Sequence, residues 1–195
     1  MNFLAHIALS YPHSDRMLGN ILADLHTHTE LQSYPEGVLK GVEMHQFIDG
    51  FTDSHEHFIK MRHYLRPHFD KWSPVILDVF HDYVLANKWS SFSNQDFNDF
   101  CESALDIIST QKTLIKQPAQ GFIQSLVNIR WLHTYRTWDG ISRALFRIEA
   151  RTKGKMHAAP VVDFLQKEEK NLSLGFEAFY TDLQIASDNW VKNNI

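Results

Sequence analysis

From residue 2 to residue 190, apolar side chains return at the three- and four-residue spacing of a helix face, and only six prolines and eight glycines interrupt them. Strict alternation flanked by hairpin turns is nowhere convincing, so strands are not required. The spacing predicts helices over 2–10, 15–27, 36–51, 54–66, 74–89, 94–110, 118–134 and 138–150, and a broken helix over 158–190. Ser73 before Pro74 reads as a helix start, with a capping hydroxyl and a proline at the first helical position. Ser93, with Asp96 following, reads as another. No repeat, low-complexity tract or linker divides the chain. The expectation is one all-α, multi-helix domain over 1–195.

Composition narrows the chemistry. With 44% hydrophobic and 22% charged residues the chain can bury a core, and a formal charge of −4 argues against nucleic acid binding through the whole surface. Cys101 is the only cysteine, which excludes an internal disulfide and any zinc site built on CxxC pairs. It lies beside Glu102 with no basic neighbour, so it reads as a buried, inert thiol. A metal would have to be held by His, Asp or Glu, a donor set suited to Mn²⁺, Mg²⁺, Fe²⁺ or Zn²⁺. The apolar opening, Met1 to Leu9, lacks a basic flank and is interrupted by His6, so it does not read as a signal peptide. No stretch approaches the roughly 18 apolar residues of a membrane span, and the expected location is cytoplasmic.

Carboxylates and imidazoles then occur where folding alone would not put them. In the segment 37–53, Val38, Val42, His45 and Asp49 fall within about 60° of one another on a helix, so His45 and Asp49 extend an apolar stripe. In the segment 74–85, Asp78 and Asp82 stand together at the edge of the apolar face, with His81 further round. His6 and Asp24 are each the odd polar residue in an apolar run. Like charges four residues apart disfavour a helix by about 0.2–0.5 kcal/mol per pair, and an unpaired buried carboxylate costs several kcal/mol. A bound dication would offset both. The plainer reading of any one of these residues is a hydrogen-bonded core histidine or a carboxylate paired with arginine; their number in one half of the chain favours the metal. His26, His28, His55 and His57 alternate in polar surroundings and read as surface histidines. No GxSxG, P-loop or GxGxxG motif is present.

The motifs Asn2-Phe-Leu-Ala-His6, Gly19-Asn20-Ile-Leu-Ala-Asp24, Met44-His45-Gln-Phe-Ile-Asp49 with Thr52-Asp53, and Leu77-Asp78-Val-Phe-His81-Asp82 with Trp89 resemble, in this order, the bacterial acyl carrier protein phosphodiesterases. The resemblance extends more weakly through Trp131-Leu132 and Tyr135-Arg136 to the aromatic carboxy-terminal helix. It implies a helical fold akin to the HD-type metal-dependent phosphohydrolases. It further implies hydrolysis of the phosphodiester that joins 4′-phosphopantetheine to a serine of holo-acyl carrier protein, usually with Mn²⁺. The HD superfamily orders its ligands as an early His, an adjacent His-Asp pair and a later Asp. Here the adjacent pair is His81-Asp82 and the other candidates lie upstream, so His81 is not counted as a ligand.

The expected metal ligands are His6, Asp24, His45 and Asp78, with Asp49 or Asp82 as a further ligand or as the group that orients an imidazole or the attacking water. Between residues 130 and 155 seven basic residues face two acidic ones. Arg136, Arg143, Arg147 and Arg151 would share one face of a continuous helix. Such a ridge would dock an acidic acyl carrier protein; otherwise it is a solvated face or a neutraliser of site carboxylates. Two other functions fit the same residues: a phosphohydrolase for nucleotides or small phosphoesters, and a metal-binding helical module without catalysis.

Overall fold

The computed structural model describes residues 1–195 and contains helices and turns but no strand. In chain order the helices are α1 (Phe3–Ser10), α2 (Ser14–Leu22), a single turn α3 (His28–Leu31), α4 (Glu36–Ser54), α5 (Glu56–Phe69), α6 (Ser73–Asn87), α7 (Phe97–Thr110) and α8 (Ala119–Asn128). A second single turn α9 (Trp131–Thr134), α10 (Trp138–Arg151), α11 (Ala158–Ser173) and α12 (Phe176–Asn194) complete the chain. One continuous apolar core runs from Leu4 in α1 to Leu183 in α12, as the helical spacing requires.

Local chemistry accounts for the breaks that periodicity alone does not show. The run expected as 15–27 stops at Leu22, because Thr27 and Glu30 form a reciprocal capping box that starts α3. The run 118–134 divides into α8 and α9 at Arg130, whose φ of 52° is left-handed. The carboxy-terminal break falls at Gly175, where φ is 82° and a side chain would be strained. Two helix starts differ from expectation. Ser73 is itself helical and donates its hydroxyl to the Asp70 carbonyl, so it caps nothing. The helix after Ser93 begins only at Phe97, where the Asp96 carboxylate accepts from the amides of Asn98 and Asp99.

Two features position the site. The first is the contact between α2 and α4, where glycines meet. A Cβ on Gly19 would stand 2.1 Å from the Val38 carbonyl oxygen and 2.7 Å from the Gly41 Cα. A Cβ on Gly41 would stand 2.5 Å from the Arg16 carbonyl oxygen. Only glycine permits this approach, and it brings the backbone of Asn20 against His45.

The second is the start of α1. Asn2 provides no side-chain cap there. Asp82 of α6 instead accepts from the amides of Leu4 (2.7 Å) and Ala5 (3.3 Å). A carboxylate at a helix amino terminus satisfies free donors and favours the helix dipole. That bond docks α1, and with it His6, onto α6.

Candidate metal centre

Helices α1, α2, α4 and α6 converge where His6, Asn20, His45, Asp49 and Asp78 meet. The two imidazoles stack with ring centres 4.2 Å apart and an interplanar angle of 19°. Each has its Nδ1 on an oxygen of Asn20: His6 on the side-chain Oδ1 at 3.0 Å, His45 on the backbone carbonyl at 2.9 Å. Each has its Nε2 on Asp49, at 3.2 Å from Oδ1 for His6 and 3.1 Å from Oδ2 for His45. The donor atoms of His6, His45 and Asp49 all lie within 4.8 Å of one another. Asp24, on the turn after α2, reaches within 3.5 Å of His45 Nε2. Asp78 sits across from Asp49, and the amino group of Met1 lies between them, 3.0 Å from Asp78 and 3.7 Å from Asp49.

The charges of the site are strongly coupled. Burial alone would discharge His45, but the hydrogen bonds it donates to the Asp24 and Asp49 carboxylates, and their charges, lift it to about 9. Burial lowers His6, which therefore stays neutral. Burial also opposes the charge on Asp49, yet its hydrogen bonds with His45 and His6 hold it well below the usual carboxylate range. Asp78 is raised by burial, an effect that the Met1 amino group only partly offsets.

This donor set fits a divalent cation. With an oxygen on each Nδ1, the Nδ1 atoms carry the protons. The Nε2 of neutral His6 is then a lone pair aimed at a carboxylate oxygen and at the Met1 carbonyl, 3.2 Å away. Lone pairs that face one another across about 3 Å repel, and a cation shared between them removes the repulsion. Two imidazole nitrogens with carboxylates at Asp49 and Asp24 form a mixed nitrogen and oxygen site of the kind first-row divalent ions occupy.

A pocket of about 560 Å³ opens directly onto these groups. Asp24, Asp49 and Asp78 line it together with Arg147 and Arg151, and Phe122 and Trp131 belong to its apolar lining. The Arg147 guanidinium stands over the Trp131 ring at 4.1 Å. Another cavity, of about 430 Å³ between α7 and α8, has Lys112 as its only ionisable residue and offers no acid–base chemistry.

The chain matches the family model described as acyl carrier protein phosphodiesterase over residues 1–183. The chain belongs to the acyl carrier protein phosphodiesterase family. Relatives bearing that name include one from Enterobacter sp. (strain 638), 28% identical, with 97% of this chain and 98% of the relative covered. Another, from Escherichia coli O6:H1, is 29% identical and covers 93% of this chain and 91% of its own. A third, from Escherichia coli O139:H28, is 30% identical with the same coverage. No solved structure matches the chain. Membership places the chain among phosphodiesterases, enzymes that hydrolyse a phosphoric diester. No helix is long and apolar enough to cross a membrane.

Within this family member, His6, His45, Asp49 and Asp24 come together, and Asp78 adjoins them across the Met1 amino group. Asp82 does not line the pocket. It is fully buried at the start of α1, and burial pushes it up to about 7 despite the Met1 amino group and two amide donors. His81 packs against His57 with their Nε2 atoms 3.3 Å apart, so the adjacent His-Asp pair stays out of the cluster.

Several surface assignments need correction. His57 and His26 are both buried, His26 against the Tyr34 hydroxyl, because the polar residues around them in sequence are not their neighbours in space. Cys101 is buried as expected, and burial pushes its thiol up to about 12. The arginine ridge is shorter than expected. Arg136 precedes α10, donates to the Ala86 carbonyl and stands 4.7 Å over the Phe97 ring, whereas Arg143, Arg147 and Arg151 do share α10. Asn20 received no role from the sequence, although it lies within the Gly19-to-Asp24 motif.

Proposed function

We propose that the protein hydrolyses the phosphodiester between 4′-phosphopantetheine and a serine of holo-acyl carrier protein, releasing apo-carrier protein and 4′-phosphopantetheine. The observation that carries this reading is the convergence of His6 Nε2 and His45 Nε2 on Asp49, which lines a pocket that also holds Arg147 and Arg151. The family membership and the names of its relatives support the substrate.

His6, His45, Asp49 and Asp24 would hold a divalent ion, Mn²⁺ by preference and Mg²⁺ or Fe²⁺ as alternatives; when bound, it supplies an acidified water and polarises a phosphoryl oxygen. The chain's own residues do the rest. Asn20 and Asp49 keep the imidazoles in place. Asp78, in the pocket wall but outside the tight His6–His45–Asp49 group, orients the attacking water by accepting its proton in a hydrogen bond. Arg147 and Arg151 attract the diester anion and oppose the charge that grows on its oxygens. The apolar wall at Phe122 and Trp131 covers the pantetheine arm and thins the water around phosphorus. Water adds to phosphorus, the bond to the serine oxygen breaks, and that oxygen leaves with a proton.

The partner would dock on α10. Arg143 is exposed and paired only with Asp139, four residues away on the same helix, while Arg147 and Arg151 join this surface to the pocket. Acyl carrier proteins are acidic, so this arrangement would steer the carrier toward the mouth.

The test is direct. Purified protein is incubated with Mn²⁺ and holo-carrier protein, and the carrier is weighed by mass spectrometry. Loss of a mass equal to the phosphopantetheine arm is expected. Turnover of nucleotides or small diesters with intact holo-carrier protein would favour the small-phosphoester reading, and no turnover of either would leave a binding module.

A further inference from the structure

We propose that Asn20 is the positioning residue of both site imidazoles, its side-chain oxygen setting the tautomer of His6 and its backbone oxygen setting the direction of His45. One residue thereby aims both Nε2 atoms at Asp49.

The assignment follows from what surrounds the amide. Asn20 is 1% exposed, so its polar atoms must find partners within the protein. Its Nδ2 donates to the Arg16 carbonyl at 3.2 Å, one turn back in α2. The reverse orientation would set two carbonyl oxygens against each other. Oδ1 therefore faces His6 Nδ1 at 3.0 Å, and an oxygen there takes a hydrogen bond only if Nδ1 carries the proton. His6 is 1% exposed, and in a neutral imidazole a proton on Nδ1 leaves Nε2 as the lone pair. Without Oδ1 the opposite tautomer would win, because Nε2–H could then donate to Asp49 Oδ1 and to the Met1 carbonyl, each 3.2 Å away. Asn20 thus holds the less obvious tautomer, the one whose Nε2 can serve as a ligand.

His45 depends on the same residue differently. Its Nδ1 is 2.9 Å from the Asn20 carbonyl, an atom that survives every side-chain substitution. That carbonyl reaches the ring because α2 and α4 touch at Gly19 and Gly41.

The metal-affinity part of the inference rests on the proposed function, whereas the tautomer part does not. Asn20→Leu keeps much of the volume and removes the oxygen. Long-range nitrogen–proton NMR on the metal-free protein should show His6 changing from the Nδ1–H to the Nε2–H form, while His45 keeps its Nδ1–H. Mn²⁺ affinity, measured by calorimetry, should fall roughly 10–100-fold. Asn20→Asp restores an acceptor at this position and should return His6 to Nδ1–H. If Asn20→Leu does not fold, Asn20→Ser serves in its place, because its hydroxyl can bond back to the Arg16 carbonyl and is too short to reach His6. A folded Asn20→Leu or Asn20→Ser variant that keeps Nδ1–H on His6 would overturn the proposal. Absence of Mn²⁺ binding by the wild type, with the tautomer change still seen in Asn20→Leu, would overturn the metal reading and leave the positioning role standing.

Discussion

Gly19 and Gly41 face each other so closely that a methyl group on Gly19 would lie 2.7 Å from the Gly41 Cα. Glycine inside a helix costs about 1 kcal/mol relative to alanine, and here two helices each bear that cost at one level. The return is the depth at which α4 sits on α2, which delivers His45 to the Asn20 carbonyl.

Gly19→Ala should therefore destabilise the protein by about 1–3 kcal/mol despite its better helix propensity, since the new methyl meets backbone atoms that cannot rotate away. Gly50→Ala, in α4 with nothing within 4 Å of its Cβ, should instead stabilise by about 0.5–1 kcal/mol. Urea unfolding of both variants measures the contrast. Equal effects would mean that the helix contact does not depend on glycine.

Asp49 and Asp82 are separated by what each carboxylate touches. Asp49→Asn should reduce Mn²⁺ affinity and turnover by at least about 100-fold, because both imidazoles lose the anion they face. Asp82→Asn keeps an oxygen for the Leu4 amide, and should cost roughly 1–3 kcal/mol of stability while metal affinity stays within a few-fold of wild type. Calorimetric Mn²⁺ titration of the two folded variants decides between the roles. Loss of binding in Asp82→Asn would return Asp82 to the centre.

The buried His57–His81 pair should make stability fall in mild acid. Burial, aided by the charges of His55 and Lys60, lowers His57 to about 4, and burial beside His57 lowers His81 as well. Between pH 6.5 and about 4 the unfolded chain binds the proton that folded His57 refuses, so stability is lost as pH drops through that window and is constant above it. The contribution is at most about 3 kcal/mol for His57. Asp82, raised to about 7, contributes the opposite slope, so the comparison must be against a variant. Unfolding midpoints of wild type and His57→Gln should converge toward pH 4; parallel curves would refute the assignment.

Charge reversal on α10 should distinguish docking from substrate contact. Arg143→Glu, outside the pocket lining, is expected to raise the apparent KM for carrier protein several-fold, weaken its salt dependence and leave a small diester unaffected. Arg147→Glu, which also lines the pocket, should impair both substrates. Steady-state kinetics at two salt concentrations tests this, and an unchanged KM in both variants would remove the docking surface.

Part of this cluster was readable because a polar residue stands out on an apolar helix face. His6, His45 and Asp49 all carried that signal, and all three meet. Asp82 carried the same signal for another reason. A buried carboxylate is relieved as well by the amides of a helix start as by a cation, and the sequence does not say which lies beside it. His57 looked like a surface residue because its sequence neighbours are polar, yet its spatial neighbours are His81 and Phe179. The ridge through Arg136 assumed one uninterrupted helix, and the turn before Trp138 removed that premise.

The sequence by itself determined an all-helical chain, most helix positions and the family, since periodicity, caps and motif order are local properties. Tertiary structure decided which polar residues share a site. That depends on contacts between groups 14 to 78 positions apart, such as His6 with Asn20, His45 with Asn20 and Leu4 with Asp82. Those contacts are set by how closely helices approach, and at Gly19 and Gly41 it is the absence of side chains that sets the distance.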